Sequence, residues 1–467
     1  MAGVVTKTDT IGCGCPLPLP CQCSYPTLLR ARLRAALAAE PLLHNGHVLT
    51  ASSLLTAGLG AFFWLLATAW YSPETVGRSY AALSAAALLS GIGQFNLGDV
   101  LMRFVPTAGR HTRRMLLGCY AVSSVASVLA AVAFLLLVPV LAPGLDFLRD
   151  PAVAVAFVAA SAGYTLFVLQ DGALTGLRRP GWVLGENTLF AVAKAVLLVG
   201  FAVLALDSGI LLAWSAALLL SLVVTNGYLF ARAVPAHARA DRDGVPPARL
   251  VRYAAADYVG ALLRTAAYSL MPLLVLGQLG ADQNAYFSLA WVIAYTCYLA
   301  TLNMGSSLIV EAAHTPERLA EHGRRVLRHA ALLVGTGVLL LVVTAPWVLA
   351  AFGPEYAEHG TTLLRLLALS ALPNLVLGVA IDVCRARRAM GWVMGLQAAL
   401  LVVVLALTVW WIPLFGLTGV GLAWLIGESV LALPLLLTLP RWLPRRAVPG
   451  GVVPRQPVAP VTKGRRV

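Results

Sequence analysis

Residues 178 to 185 read RRPGWVLG, and residues 387 to 395 read RRAMGWVMG. Each places an arginine pair and a glycine-tryptophan step at the head of a long apolar run. Trp182 and Trp392 are 210 residues apart, and the same offset carries SGILLAW at 208 to 214 onto TGVGLAW at 418 to 424. FNLG at 95 to 98 pairs with LNMG at 302 to 305 at an offset of 207. Asp171 pairs with Asp382, and Arg113-Arg114 with Arg324-Arg325, at 211. The small drift is what loop insertions produce, so the chain reads as two copies of one unit.

Composition says where those copies live. The 467 residues are 59% hydrophobic and 12% charged, with a mean hydropathy of +0.82, whereas soluble domains carry roughly 25% charged residues. Apolar runs long enough for a hydrocarbon core of ~30 Å recur along the chain. Twelve are read, at 48 to 70, 79 to 102, 115 to 141, 152 to 175, 182 to 206, 209 to 231, 251 to 276, 284 to 310, 326 to 351, 361 to 384, 391 to 412 and 416 to 439. A membrane β-barrel would instead show alternating segments of about ten residues. The expected fold is therefore all-α, a polytopic membrane protein with twelve transmembrane helices. They form two parallel six-helix repeats, an N-lobe and a C-lobe, around a central cavity.

The expected organisation is a cytoplasmic N-terminal tail over 1–47, an N-lobe over 48–232, a cytoplasmic linker over 233–250, a C-lobe over 251–440 and a basic C-terminal tail over 441–467. Lysine and arginine stay cytoplasmic in short loops. Alternate loops hold Arg103, Arg110, Arg113 and Arg114, then Arg178 and Arg179, then Arg318, Arg324, Arg325 and Arg328, then Arg385, Arg387 and Arg388. The opposite set holds Arg78 and Arg149. Both termini are thus expected in the cytoplasm, and the net charge of +14 is explained by anionic lipid headgroups rather than nucleic acid.

The opposite loops, such as LDFLRDP, GQLGADQN and FGPEYAEHG, are short and mildly acidic. None is long enough for a separate catalytic domain, which speaks against a membrane glycosyltransferase or polymerase. DRD at Asp241 to Asp243 resembles a metal-binding DxD, but it lies beside GVPP in the inter-lobe linker. There is no GxSxG, P-loop or HExxH, and GIGQFN lacks the last glycine of GxGxxG. No enzyme activity, cofactor or metal is expected. CGCPLPLPCQC at 13 to 23 packs four cysteines without the usual CxxC spacing, and Pro41 interrupts Glu40, His44 and His47, so both read as parts of a tail rather than zinc sites. Leu29, Leu33 and Leu37 share one face flanked by arginines, a pattern suited to lying on the inner leaflet. No apolar core of a cleavable signal precedes the first span.

VGRSYAALSAAALLSGIGQFNLGDVLMRFVP at 76 to 106, FGPEYAEHGTTLLRLLALSALPN at 352 to 374 and FGLTGVGLAWLIGESVLAL at 415 to 433 resemble polysaccharide-type flippases. These belong to the multidrug, oligosaccharidyl-lipid and polysaccharide exporter superfamily, near its O-antigen and teichoic-acid export branch. The resemblance covers roughly 48 to 440, without the two extra C-terminal helices of lipid II flippases. It implies a cell-membrane flippase that moves polyprenyl-diphosphate-linked oligosaccharide from the inner to the outer leaflet for surface polysaccharide synthesis. The alternative is an H⁺- or Na⁺-coupled drug antiporter. LGDVLMRFVPTAGRHTRR at 97 to 114 fits the loop motif of the major facilitators poorly.

Charges inside the spans are site candidates because each costs about 3 kcal/mol or more unless it faces protein or water. Lys194, Arg264 and Arg365 are the intramembrane cations, candidates for binding a diphosphate; Arg365 lies near a helix end, where it can also snorkel to the interface. Lys194 is twelve residues past Trp182, and Arg264 twelve past Arg252, which puts both about 18 Å deep. Tyr253, Asp257, Arg264 and Tyr268 fall on one stripe, and Glu186, Asn187 and Lys194 are read as another. Glu186 and Asp257 are the candidates for H⁺ or Na⁺ coupling, ahead of Asp99 and Glu428. Asp171 and Asp382 read as partners of nearby arginines, and Pro272 and Pro373 as bending points.

The charge alternation predicts labelling on opposite faces. In a cysteine-free background, a cysteine at Asp146 should react with an impermeant maleimide in intact cells, and one at Arg387 should react after permeabilisation. Reaction of both in intact cells would refute the topology.

Overall fold

The computed structural model describes residues 41–238, 247–314 and 316–443, with side chains from residue 56 except at 247–256 and a few neighbouring positions. The N-terminal cysteines, Asp241 to Asp243 and the side chains of His44, His47 and Tyr253 lie outside the described residues.

The described chain is helical: α1 Pro41–Trp70, α2 Pro73–Gln94, α3 Leu97–Ala108, α4 Thr112–Leu141, α5 Pro151–Gly176, α6 Pro180–Val203, α7 Gly209–Tyr228, α8 Val234–Ala238, α9 Pro247–Leu279, α10 Ala281–His314, α11 Leu319–Ala350, α12 Pro354–Ala386, α13 Met390–Phe415, α14 Leu417–Leu437 and α15 Leu439–Trp442. Ten of these segments among the described residues are long and apolar enough to cross a membrane. The two expected spans outside that set are α1, whose part with described side chains, Thr56–Trp70, is short, and α2, which is not apolar enough. α2 buries Ser79, Ser90, Gly77, Gly93 and a row of alanines. Packed inside protein, it does not need a hydrocarbon-compatible surface.

Local chemistry sets the helix ends. Ser72 accepts from the Thr75 backbone N–H at 3.3 Å ahead of Pro73, and Asp150 accepts from Ala152 at 3.1 Å ahead of Pro151. Each satisfies N–H groups that a helix start leaves free. Glycines in the left-handed region, Gly280 at φ 91° and Gly416 at φ 56°, permit the tight turns joining α9 to α10 and α13 to α14. These turns share one end of the bundle, opposite the arginine-bearing loops.

The repeat is visible in backbone detail. Arg178 and Arg388, 210 residues apart, both adopt positive φ, 57° and 60°. The N–H groups of Arg179 and Ala389 donate to Leu174 and Cys384, each at 2.9 Å. This register corrects the sequence pairing of Asp171 with Asp382: at an offset of 210, Asp382 corresponds to Gly172. A second difference concerns bending. α9 and α12 run on through Pro272 and Pro373, whereas the chain breaks between α2 and α3 at Phe95 (φ 48°) and Asn96 (φ 57°). Its repeat partner, LNMG at 302 to 305, is continuous within α10.

The two halves meet where α2 packs on α9 and α10, and α1 on α10. At the tight-turn end the contact is close: Asn284, fully buried, donates to the Gly77 carbonyl at 2.8 Å, and a Cβ on Gly77 would run into the Ala281 carbonyl. Phe63, Trp64 and Ala67 share a core there with Phe287 and Trp291. Toward the arginine end the Tyr258 hydroxyl donates to the Ile92 carbonyl at 2.8 Å.

Gly77→Leu should therefore force the halves apart at the tight-turn end. Spin labels on Arg78 and Asp282 should report longer distances in lipid, with Gly200→Leu, whose added carbon meets open space, as the unchanged control. Identical distributions in both variants would refute the seal.

Candidate functional site

The interior holds three cavities of about 670, 420 and 310 Å³; the first and third are lined by residues of both halves and the second by residues of the C-terminal half. The first and second share Tyr268, Ser269 and Tyr295; the second and third share Arg264 and Thr265. They adjoin one another from the tight-turn seal toward the arginine end.

The largest chamber is walled by aromatic residues from both halves: Trp64, Tyr80, Tyr164 and Trp214 on one side, and Tyr268, Trp291 and Tyr295 on the other. Trp291 is the hub of the C-terminal wall, with ring centroids 4.8 Å from Trp424, 5.6 Å from Tyr268 and 6.1 Å from Tyr295. Trp and Tyr suit such a wall, offering an apolar face and a polar tip.

Lys194 lines this chamber. Its Nζ lies 4.9 Å from the Phe63 ring centroid and 5.2 Å from that of Phe190, within cation–π range. Arg264 lines the second and third cavities. Among the described residues neither cation has a carboxylate in an ion pair. Tyr268 lines the first and second cavities, one turn beyond Arg264 on α9.

Asn187 also lines the large chamber and donates to Asp171 at 3.2 Å, so Asp171 is partnered by an amide rather than an arginine. Asn187 and Lys194 are seven residues apart and share a face. Glu186 is rotated off that face by about 100°. It is 1% exposed and sits in the N-lobe interior, where its backbone carbonyl accepts from Ser221 at 3.2 Å, and its carboxylate oxygens have no hydrogen-bond partner among the described residues. The expectation that Glu186 lines the cavity is corrected accordingly. Arg365 is corrected too: it is exposed, and its Nε donates to the Val342 carbonyl at 3.0 Å on the outside of α11 and α12.

Arg385 was read from sequence as a topological anchor, because it precedes Arg387 and Arg388. The structure turns it inward. It lines the second cavity beside Arg264 and Asp382, 3.3 Å from Asp257 and 3.6 Å from Asp382. Its place three residues after Asp382, one helical turn along α12, was the available signal. Glu428 is fully buried, with Asn374 donating to it at 3.1 Å; this pair ties α14 to α12.

No family model matches the chain, and no curated protein matches it in sequence. Solved structures do match in fold. A multidrug resistance MATE family transporter of the MOP superfamily in its inward-facing conformation aligns with a TM-score of 0.59 at 17% identity, covering 83% of this chain and 94% of that one. An outward-facing structure of such a transporter aligns at 0.59 and 14% identity, covering 86% and 95%. A MATE structure in the bent conformation aligns at 0.61 and 16% identity, covering 87% and 97%. The chain thus has the two-lobe, all-helical fold of these transporters.

The enclosed Glu186 gives a stability prediction. Glu186→Gln keeps the side-chain volume and removes no ion pair seen in the structure, so the thermal unfolding midpoint in detergent should be unchanged. Glu186→Ala opens a void and should lower stability by roughly 2 to 3 kcal/mol. A large loss in the glutamine variant would show that the carboxylate has a charged partner.

Proposed function

We propose that the protein is an alternating-access flippase that carries a polyprenyl-diphosphate-linked oligosaccharide from the inner to the outer leaflet for cell-surface polysaccharide synthesis. The observation that carries this reading is an aromatic-walled cavity between two lobes lined by Lys194, with Arg264 in the adjoining cavities, neither cation being in an ion pair among the described residues. Arg264 shares its cavities with Asp382 and Asp99 without forming an ion pair with either, and Lys194 is the charged residue of its chamber, so both cations gain from an anion that arrives to meet them. A diphosphate supplies that charge, and aromatic faces suit the apolar faces of sugar rings.

The fold supports rocking of the lobes, since structures of this architecture exist in inward-facing and outward-facing conformations. With both termini in the cytoplasm of a plasma-membrane protein, the tight-turn seal closes the outer side. The path past Arg264 then leads inward, to the leaflet in which the cargo is made. Anionic lipids at the arginine loops are the membrane partners.

A drug antiporter shares the fold. It would be favoured by an unpaired carboxylate in the large chamber, and the charged residue lining that chamber is Lys194. If transport is coupled to H⁺ or Na⁺, Glu186 is the candidate we retain; Asp257 is engaged by Arg385.

Reconstituted liposomes carrying a fluorescent polyprenyl-diphosphate glycan test the proposal. Lys194→Ala and Arg264→Ala should each slow translocation by about tenfold or more, the loss expected for one charge-assisted contact of about 1.5 to 3 kcal/mol. Wild-type rates in both folded variants would remove the proposed site.

A further inference from the structure

We infer that Arg385 is a second anion-binding residue for the cargo diphosphate, held by Asp257 and Asp382 and released to the diphosphate when it reaches Arg264. This inference rests on the flippase reading and names the subsite within it.

Three observations carry it. First, Arg385 faces the same 420 Å³ cavity as Arg264, from a different helix, so the two guanidinium groups approach one space from α12 and α9. Second, its restraint is loose. Its Nε lies 3.3 Å from Asp257 and its Nη1 3.6 Å from Asp382, beyond the 2.7 to 2.9 Å of a strong charge-assisted hydrogen bond, and the Nε contact with Asp257 lacks hydrogen-bond alignment. A guanidinium has five donors in a planar fork that matches phosphate oxygens, and the two carboxylates face only its Nε and Nη1.

Third, the arrangement belongs to one repeat alone. In the register set by the backbone turns, Arg385 corresponds to Thr175 and Asp382 to Gly172. Gly172 packs directly against the Gly98 backbone, whereas the equivalent Gly305 leaves room for the Asp382 carboxylate. Like Lys194 and Arg264, whose counterparts at offsets of 210 and 207 are Val404 and Ala57, Arg385 is a charge that the duplicated fold does not require.

The carboxylates and the cargo therefore compete for one cation. Asp257 lies on α9 seven residues before Arg264, two turns or about 10.5 Å along the helix, so the exchange takes place on the helix that already holds the first cation. A monophosphate has fewer oxygens with which to engage both arginines, and the device selects for the diphosphate.

The test uses the full chain in zwitterionic nanodiscs, with radiolabelled farnesyl diphosphate and farnesyl monophosphate as probes. Wild type should bind the diphosphate more tightly. Arg385→Gln should weaken diphosphate binding about tenfold and reduce that preference, whereas Asp257→Asn, which loosens the restraint, should tighten binding severalfold. Misfolding does not produce a gain, so the second variant guards against misreading the first. The double variant should behave as Arg385→Gln alone. If Arg264→Gln loses binding while Arg385→Gln and Asp257→Asn keep wild-type affinity, Arg385 is not a ligand and the flippase reading stands. If wild type binds neither probe, both fall.

Discussion

A cation in hydrocarbon must find water, protein or an anion, at a cost of about 3 kcal/mol or more if it does not, and the interior of this protein is arranged around that constraint. Lys194 and Arg264 lie on α6 and α9 with their side chains in the gap between the halves. Lys194 rests near two phenylalanine rings, and Arg385 is held by two carboxylates. The lipid-facing surfaces carry bare leucine and valine, such as Leu136, Val140 and Leu437. Charge therefore marks the interior cavities, and aromatic walls with polar tips complete their lining.

The spans were legible because hydropathy registers any helix that touches lipid. α2 tests the rule from the other side: its serines, glycines and alanines make it poorly apolar, and the apolar run read at 79 to 102 extends past its end at Gln94 into α3. The stripe on α9 was legible because Asp257, Arg264 and Tyr268 recur at helical spacing. Glu186 was not, since adjacent residues on a helix differ by about 100° in direction, and Asn187 rather than Glu186 shares a face with Lys194. Arg385 was hidden by its neighbours: three arginines in four positions look like one cytoplasmic cluster, and the helix separates the first, in the cavity, from the others.

The repeat was legible in sequence, but its register was not fully so. Matching like residues joined Asp171 to Asp382, whereas the turns at Arg178 and Arg388 fix an offset that joins Gly172 to Asp382. One residue changes the meaning. Asp171 faces Asn187, and Asp382 lies one turn from Arg385, so the two acids are not equivalent solutions to one packing problem.

That distinction explains how a duplicated fold can hold an unduplicated site. FNLG and LNMG supply a glycine at the same place in each half. In the first half Gly98 lies backbone to backbone with Gly172, so α3 and α5 approach closely, and the preceding residues Phe95 and Asn96 take left-handed conformations that are unfavourable for phenylalanine. In the second half the helix runs unbroken through this point, and the space beside Gly305 is filled by the Asp382 carboxylate. Phe95 in turn packs on Tyr258 of the opposite half at 5.3 Å, on the helix that carries Asp257 and Arg264. The same glycine thus admits a backbone in one lobe and a charge in the other, and the asymmetry that places Arg385 in the cavity begins with the space a missing side chain leaves.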